Sequence, residues 1–349
     1  MRQDIKDNRI KVLMVGAGSI GQKELRELKR HPLIKIIGLV EINDMRRKAM
    51  STLVPYTYKY LSRALAETAA DLVRIATPPE THYNLAIASL QAKKDVYIEK
   101  IMTIKASESR EIINLAKKIG KKVYVRRNAI YTAVYQEAYA KLKEIGNIRH
   151  IHWIEPREEY SYWSSYKQEW LKNLPGGIIS EHLPHALYIV RWFLGEEPEV
   201  VDVEYNEREL QVQLKTPTKT ALITYQEPSD NPMLMYIIGS KGTLEVNHSS
   251  YRIFKPKGYE NSFNPEIRTI KANLYDILSE GKNFMRLISH GIIRELHLNS
   301  ESMYSKSDNY RQFTDIAQGE VFGNFHINGE EGLKNVELFE KIWKKGGQL

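Results

Sequence analysis

A glycine-rich hexapeptide at residues 16–21, with the sequence GAGSIG, constrains the fold of this chain more than any other feature. It follows a short β-branched run at residues 11–15 and opens an amphipathic stretch, as a turn between a strand and a helix does. Gly16 permits a tight turn, Gly18 lets a ligand approach the backbone, and Gly21 allows close packing of helix on strand. Because a helix N-terminus also attracts anions, the motif predicts a dinucleotide-binding site.

The same alternation continues from residue 10 to about residue 125. Strands are predicted at residues 10–15, 35–40, 72–76, 95–98 and 122–125. Helical periodicity is clearest at residues 20–29, 81–91 and 107–119. Strands that alternate with helices in this way predict a doubly wound parallel sheet, the Rossmann fold.

The pattern changes beyond residue 148, where the predicted strands follow one another closely. They lie at residues 148–154, 200–205, 210–214, 221–225, 233–238 and 242–246, with helices at 164–172, 180–194 and 330–345. This order favours an α+β region with a large, mostly antiparallel open sheet. We therefore expect a dinucleotide-binding domain over residues 1–127 and a substrate-binding and oligomerisation domain over residues 128–349, whose final helix can pack back on the first domain. Residues 255–307 fit neither pattern and are interpreted as an insertion.

Composition limits the partners and the compartment. The 51 Lys and Arg residues exceed the 43 Asp and Glu residues, and the net charge of +8 favours anions such as a cofactor pyrophosphate. The basic residues are scattered among acidic ones, so nucleic acid is a weaker expectation. The absence of cysteine excludes disulfides, a thiolate nucleophile and Cys-ligated zinc. No apolar run approaches the ~20 residues that span a bilayer, and the cytoplasm is the expected compartment.

Glu41 ends the second predicted strand, about 20 residues beyond the last glycine of the motif. A carboxylate at this position accepts hydrogen bonds from the adenosine ribose hydroxyls and repels a ribose phosphate, which favours NAD over NADP. Arg46 and Arg47 lie close enough in sequence to contact such a phosphate, so NADP remains open. We expect Ser19 and Ile20, in the first turn after Gly18, to complete the cofactor contacts.

Polar residues follow two further strands at the carboxyl edge of the predicted sheet, where open parallel sheets bind ligands. Thr77 and Pro78 come after the strand at residues 72–76, and the proline fixes an extended turn. An ordinary loop with Thr81 as the N-cap of the next helix would explain that segment equally. Glu99 and Lys100 follow the strand at residues 95–98. A partly dehydrated lysine near a cofactor can hydrogen-bond a substrate hydroxyl or help to move its proton.

Glu181 and His185 lie four residues apart in the helix predicted at residues 180–194, for which Ser180 is the expected N-cap. The spacing places both side chains on one helix face. There the carboxylate can orient the imidazole, whose ordinary pKa near neutrality suits removal of a hydroxyl proton. His182 raises the question of a metal, but neighbouring helical positions diverge by about 100°, so no metal site is predicted.

Taken together, these motifs resemble the glucose-fructose oxidoreductase/inositol dehydrogenase family, also called Gfo/Idh/MocA. The matching segments are residues 16–21, 76–82, 99–100, 176–177, Glu181 with His185, and 328–332. The resemblance covers nearly the whole chain and implies a Rossmann domain, a substrate domain with an open sheet, and a homodimer or homotetramer. It also implies that Lys100 contacts the reacting oxygen and that Thr77, Pro78, His82 and Glu99 line the cofactor site. Ile101 and Glu181 depart from the family pattern, which has Pro and Asp there.

His150 and His152 alternate on one predicted strand and precede a run of aromatic residues. These are Trp153, Tyr160, Tyr162, Trp163, Tyr166 and Trp170. They could wall a sugar site, and an aromatic core or a subunit contact explains them as well.

The leading hypothesis is reversible hydride transfer between NAD(H) and a secondary alcohol or ketone of a sugar, cyclitol or related polyol. His185 would exchange the hydroxyl proton, Glu181 would orient His185, and Lys100 would polarise the oxygen. Two alternatives remain open. One is reduction of a C=N or C=C bond, and the other is a non-catalytic dinucleotide sensor with a protein or DNA partner.

Overall fold

A computed structural model describes residues 7–156, 169–206, 209–226, 233–247, 250–255, 307–319 and 327–349. The chain divides into two compact units. Unit 1 combines Met1–Tyr131, Lys167–Tyr188 and Tyr304–Leu349, and unit 2 combines Thr132–Tyr166 and Ile189–Met303. The boundary expected after residue 127 stays a prediction, and the insertion at residues 255–307 lies almost entirely outside the described residues.

Unit 1 is built on a six-stranded parallel sheet. Its strands are β1 Ile10–Val15, β2 Ile34–Val40, β3 Thr57–Tyr58, β4 Leu72–Ile75, β5 Asp95–Ile98 and β6 Val123–Val125, in the order β3-β2-β1-β4-β5-β6. Central strands of this kind are covered on both faces and therefore consist of nearly continuous apolar residues. Val12, Leu13 and Met14 of β1 are fully buried. The doubly wound Rossmann sheet predicted from the sequence is confirmed.

The described residues contain ten α-helices, the first five of which alternate with the strands of unit 1. They are α1 Ser19–Leu28, α2 Asp44–Met50, α3 Leu61–Glu67, α4 His82–Gln91, α5 Ala106–Lys118, α6 Ala133–Ala140, α7 Leu142–Ile145, α8 Ile179–Leu194, α9 Asp308–Gln318 and α10 Gly329–Lys345. Side chains cap several of them, as Asn328 does when its Oδ1 accepts from Glu331 N. Helix α10 packs against α5 and β6 within unit 1.

One predicted cap is confirmed in position, and the other is wrong. Thr81 is the N-cap residue of α4, but its hydroxyl donates to the carbonyl of Pro78 (2.7 Å) and makes no cap hydrogen bond. Helix α8 begins at Ile179, so Ser180 lies inside its first turn, and its hydroxyl donates to the carbonyl of Pro175. The helix predicted at residues 164–172 lies mostly outside the described residues, which contain a 3-10 turn at Glu169–Asn173.

Unit 2 contains a seven-stranded sheet. Its strands are β7 Ile148–Pro156, β8 Glu199–Tyr205, β9 Leu210–Lys215, β10 Thr220–Gln226, β11 Leu234–Gly239, β12 Thr243–Asn247 and β13 Tyr251–Phe254, in the order β13-β12-β11-β7-β10-β9-β8. Strands β7 and β10 pair in parallel, and the other neighbours are antiparallel. Side chains alternate between a buried face, which includes Ile151, Ile223 and Met235, and a half-exposed face. This confirms the mostly antiparallel sheet expected from the sequence.

Candidate functional site

The glycine turn between β1 and α1 has the geometry that its sequence predicts. Gly16 has a φ of +98°, and a Cβ built on it would lie 2.4 Å from the carbonyl oxygen of Ala76. A Cβ on Gly21 would lie 2.1 Å from the carbonyl oxygen of Gly16. A Cβ on Gly18 would meet nothing within 4 Å. The first and last glycines are therefore required by the chain's own packing, whereas Gly18 leaves open space for a ligand.

The first turn of α1 suits an anion. Gly18 is the N-cap of this helix and makes no side-chain cap, and the first turn contains no acidic residue. Ser19 is exposed and Ile20 is half-buried, so both border the open space beside Gly18. Uncapped amide groups and the helix dipole favour a pyrophosphate at this position.

Glu41 lies beside the glycine turn although it follows β2. Its Oε2 accepts from the backbone N–H of Ala17 (2.7 Å), and its Oε1 accepts from that of Asn43 (2.8 Å). Arg47 donates to the carbonyl oxygen of Glu41 (2.8 Å), and Nε of Arg46 lies 3.9 Å from the carboxylate. Backbone amides thus hold the Glu41 carboxylate beside the glycine turn. Its negative charge would repel the additional ribose phosphate that distinguishes NADP from NAD.

The segment after β4 is fixed by hydrogen bonds among its own residues. The hydroxyls of Thr77 and Thr81 lie 2.7 Å apart, and Pro78 accepts from Thr81. His82 is fully buried, with Nε2 2.8 Å from the carbonyl oxygen of Thr77 and Nδ1 2.9 Å from that of Ile101. Burial lowers the pKa of His82, against the opposing effect of these two carbonyls. His82 therefore joins the Thr77 loop to the loop after β5.

Glu99 belongs to a buried cluster of charges beneath Lys100. Its carboxylate accepts from Arg74, and Nε of Arg126 lies 3.5 Å away. Arg74 also binds Glu24 through two hydrogen bonds, of 2.7 and 2.8 Å. Burial acts to raise the pKa of Glu99, but the guanidinium groups of Arg126 and Arg74 outweigh it and lower the pKa to about 2. The cluster holds Glu99 ionised.

Lys100 and Glu181 form a direct ion pair. Nζ of Lys100 donates to Oε1 of Glu181 (2.6 Å) and to its backbone carbonyl oxygen (2.6 Å), and only 9% of the lysine side chain is exposed. The peptide bond between Lys100 and Ile101 is cis. The pair joins the carboxyl edge of the parallel sheet to the first turn of α8, although 81 residues separate the two side chains in sequence.

His185 lies one turn further along α8. Its Nδ1 is 2.7 Å from the hydroxyl oxygen of Tyr188, which also accepts from the backbone N–H of Ala129 (3.1 Å). A small pocket is lined by both Lys100 and Tyr188. Its other polar lining residues are Arg126, Arg127 and Asn335.

Known proteins resemble this chain in sequence and in fold. Residues 10–127 match the model of the GFO_IDH_MocA family, described as an oxidoreductase family with an NAD-binding Rossmann fold. This match places the resemblance to the Gfo/Idh/MocA oxidoreductases in the N-terminal part of unit 1. Inositol 2-dehydrogenase of Salmonella typhimurium is 26% identical over 209 residues, which are 56% of this chain and 58% of that protein. An uncharacterized oxidoreductase of Synechocystis is 23% identical over 54% of this chain and 53% of its own length. The matches thus span little more than half of these relatives.

Solved structures share the fold over nearly the whole chain. The WlbA dehydrogenase of Bordetella pertussis, in complex with NADH and UDP-GlcNAcA, has a TM-score of 0.73 at 18% identity and covers 98% of this chain and 97% of its own. An Agrobacterium radiobacter oxidoreductase in complex with NAD+, L-tartaric acid and magnesium has a TM-score of 0.72 at 15% identity, covering 97% and 96%. The NAD-binding Rossmann domain predicted from the sequence is confirmed.

The structure joins some of the predicted site residues directly. Lys100 contacts Glu181, and Glu99 lies under Lys100 in the same unit. Glu41 lies instead at the glycine turn. Sequence reasoning missed Tyr188 and Arg74. The spacing of three residues from His185 could have indicated Tyr188, whereas a lone Arg in a predicted central strand gives no sign of its partners.

The remaining sequence candidates belong to other parts of the chain or lie outside the described residues. In unit 2, His150 and His152 lie beside the hydroxyls of Thr220 (2.8 Å) and Thr224 (3.2 Å) on the half-exposed sheet face. Trp153 points to the opposite, buried face. Tyr160, Tyr162, Trp163 and Tyr166 are outside the described residues, and Trp170 lies in the 3-10 turn. The described residues contain no group of three or more His, Asp or Glu side chains arranged to hold a metal. No helix among them is long and apolar enough to cross a bilayer.

Proposed function

We propose that the chain catalyses reversible hydride transfer between NAD(H) and a secondary alcohol or ketone of a sugar, cyclitol or related polyol. The observation behind this proposal is the ion pair of Lys100 with Glu181, which brings the sheet edge and the helix of His185 together in the unit that contains the glycine turn. Similarity to an inositol 2-dehydrogenase and to a dehydrogenase solved with a sugar nucleotide supports this substrate class.

Separate residues bind the cofactor and act on the substrate. Gly18 and the N-terminus of α1 bind the pyrophosphate, and Glu41 accepts from the adenosine ribose, which favours NAD. Thr77 and Pro78 line the cofactor, and His82 fixes the Thr77 backbone from behind. When bound, the nicotinamide accepts or supplies the hydride. Lys100 donates a hydrogen bond to the reacting oxygen, and His185 takes the hydroxyl proton during oxidation and returns it during reduction.

Activity across a polyol panel tests the proposal. The purified protein should reduce NAD+ with at least one substrate among cyclitols, aldoses, sugar acids and sugar nucleotides. It should reduce NAD+ more efficiently than NADP+ with the same substrate. His185→Ala should lower kcat roughly 10²–10⁴-fold, as loss of a general base does. Lys100→Ala should also lower it.

Lys117→Ala, at an exposed side chain of helix α5, and His150→Gln on the sheet of unit 2 are the matched controls, and both should keep full activity. Tight NAD binding without turnover of any alcohol, imine or enoyl substrate would favour the sensor alternative. Turnover restricted to imines or C=C bonds would favour the reductase alternative.

We further propose that the protein is cytoplasmic and assembles as a homodimer or homotetramer through the half-exposed face of the seven-stranded sheet. The support is apolar exposure there, since Ile238 is 39% and Phe254 is 44% exposed. Light scattering should report an assembly that Ile238→Glu weakens, and a wild-type monomer would contradict the assignment. Cell fractionation tests the compartment.

A further inference from the structure

The hydroxyl of Tyr188 lies between a fixed backbone donor and the ring of His185. Its oxygen accepts from the N–H of Ala129 (3.1 Å) and lies 2.7 Å from Nδ1 of His185. Only 1% of Tyr188 is exposed, so no rotamer change brings this hydroxyl to solvent without disturbing the packing. The position of Nδ1 is therefore set by a group that is itself held by the backbone.

A tyrosine hydroxyl suits an imidazole that changes its protonation state. Ala129 N–H can only donate, so it occupies one lone pair of the oxygen. The hydroxyl can donate to an unprotonated Nδ1, and its remaining lone pair can accept from a protonated one. Burial raises the pKa of Tyr188, which keeps the hydroxyl protonated. A carboxylate, by contrast, can only accept and would favour the imidazolium.

The residue expected to orient His185 has another partner. The carboxylate of Glu181 accepts from Lys100 at 2.6 Å, and the backbone carbonyl of Glu181 accepts from the same ammonium group. The carboxylate therefore neutralises a lysine that is 9% exposed. The charged groups that act on the Tyr188 hydroxyl are Arg126, Arg127 and Asp308.

We propose that Tyr188 is the positioning residue for His185 and that Glu181 serves as the counter-ion of Lys100. The inference rests on the proposed function and deepens it. With Nδ1 protonated and donating to the Tyr188 oxygen, the neutral ring leaves Nε2 unprotonated and able to exchange the proton with the substrate, as in catalytic triads in which one ring nitrogen is held and the other reacts. Tyr188 does not touch the reacting atoms.

Tyr188→Phe removes only the hydroxyl and retains the buried ring. Tyr131→Phe is the matched control, because Tyr131 is also buried in unit 1 and loses a comparable hydrogen bond, to Asp315 (2.7 Å). Ring 15N chemical shifts of His185, assigned by their loss in His185→Gln, report the tautomer without any substrate. In the wild type the two nitrogens should have the separate shifts of one tautomer. In Tyr188→Phe they should move toward averaged values, and in Tyr131→Phe they should not.

Kinetics supply the second readout. Tyr188→Phe should lower kcat roughly tenfold to a hundredfold, as loss of an orienting partner does at comparable sites, with KM unchanged. If no alcohol is turned over but the shifts respond as expected, the proposed function fails and the positioning role stands. Unchanged shifts in Tyr188→Phe, or an equal change in Tyr131→Phe, overturn the inference whatever the activity.

Discussion

The sheets of the two units are stabilised in different ways. The parallel sheet of unit 1 contains Arg74 on a central strand, fully buried and bonded to Glu24 and Glu99. The inner face of the sheet in unit 2 is mainly apolar, with Glu155 as a buried carboxylate that accepts from Nε1 of Trp153 (2.9 Å). Buried charge requires matched partners, whereas apolar packing tolerates small changes. The difference indicates that charges in unit 1 support the site at the end of β5, while the sheet of unit 2 depends on packing.

The largest effect should come from removing Arg74. Arg74→Met removes the guanidinium that hydrogen-bonds two buried carboxylates and leaves them with the more distant Arg126, and breaking buried pairs of this kind costs roughly 3–5 kcal/mol. Ile223→Val, at a fully buried position in unit 2, should cost only about 0.5–1.5 kcal/mol. Urea unfolding measures both free energies.

The double variant Arg74→Met/Glu24→Gln sharpens this test. It should recover part of the loss, because one of the two buried carboxylates that lost Arg74 becomes a neutral amide. Equal free energies for Arg74→Met and Ile223→Val would refute the contrast between the two sheets.

A smaller effect is expected within the glycine turn. Gly21→Ala places a Cβ against the carbonyl oxygen of Gly16 and should cost roughly 1–3 kcal/mol, as overpacking does. Gly18→Ala meets no protein atom and should change stability by no more than ~0.5 kcal/mol. Its methyl group nevertheless projects toward the pyrophosphate position, so NAD affinity should fall.

Fluorescence titration with NADH and thermal unfolding separate the two variants. An unchanged NAD affinity in Gly18→Ala would show that the pyrophosphate does not bind at this turn.

Local sequence predicted the parts of the fold that depend on local rules. The hexapeptide of residues 16–21 predicted the turn because a side chain at Gly16 or Gly21 would clash with backbone that lies within a few residues or beyond the neighbouring strand. The pairing of Lys100 with Glu181 was not predictable in the same way. Helical spacing favours Glu181 beside His185, but a lysine brought from 81 residues away takes the carboxylate. Likewise, the sequence around Arg74 does not indicate that its side chain is buried, because its partners Glu24 and Glu99 are distant in sequence.

The smallest effect concerns acid stability and again separates the units. His31 in unit 1 is buried, its Nδ1 accepts from Leu33 N–H (3.2 Å), and its Nε2 lies 3.2 Å from the carbonyl oxygen of Tyr310. Burial lowers its pKa below the ordinary value of 6.5, and the hydrogen bond to Tyr310 opposes this only partly. Since the unfolded chain then binds more protons, His31 contributes stability above pH 6.5 that is lost as the pH falls below it.

Substitutions of histidine in each unit check this difference. His31→Asn should flatten the decline in unfolding free energy between about pH 7 and pH 5, because the titrating group is gone. Burial also lowers the pKa of His150 in unit 2, but that ring is only partly buried and faces a Thr220 hydroxyl that can reorient to accept a hydrogen bond from the protonated ring. His150→Gln should therefore leave the decline nearly unchanged. An equal flattening in both variants would show that burial in unit 1 adds no acid sensitivity of its own.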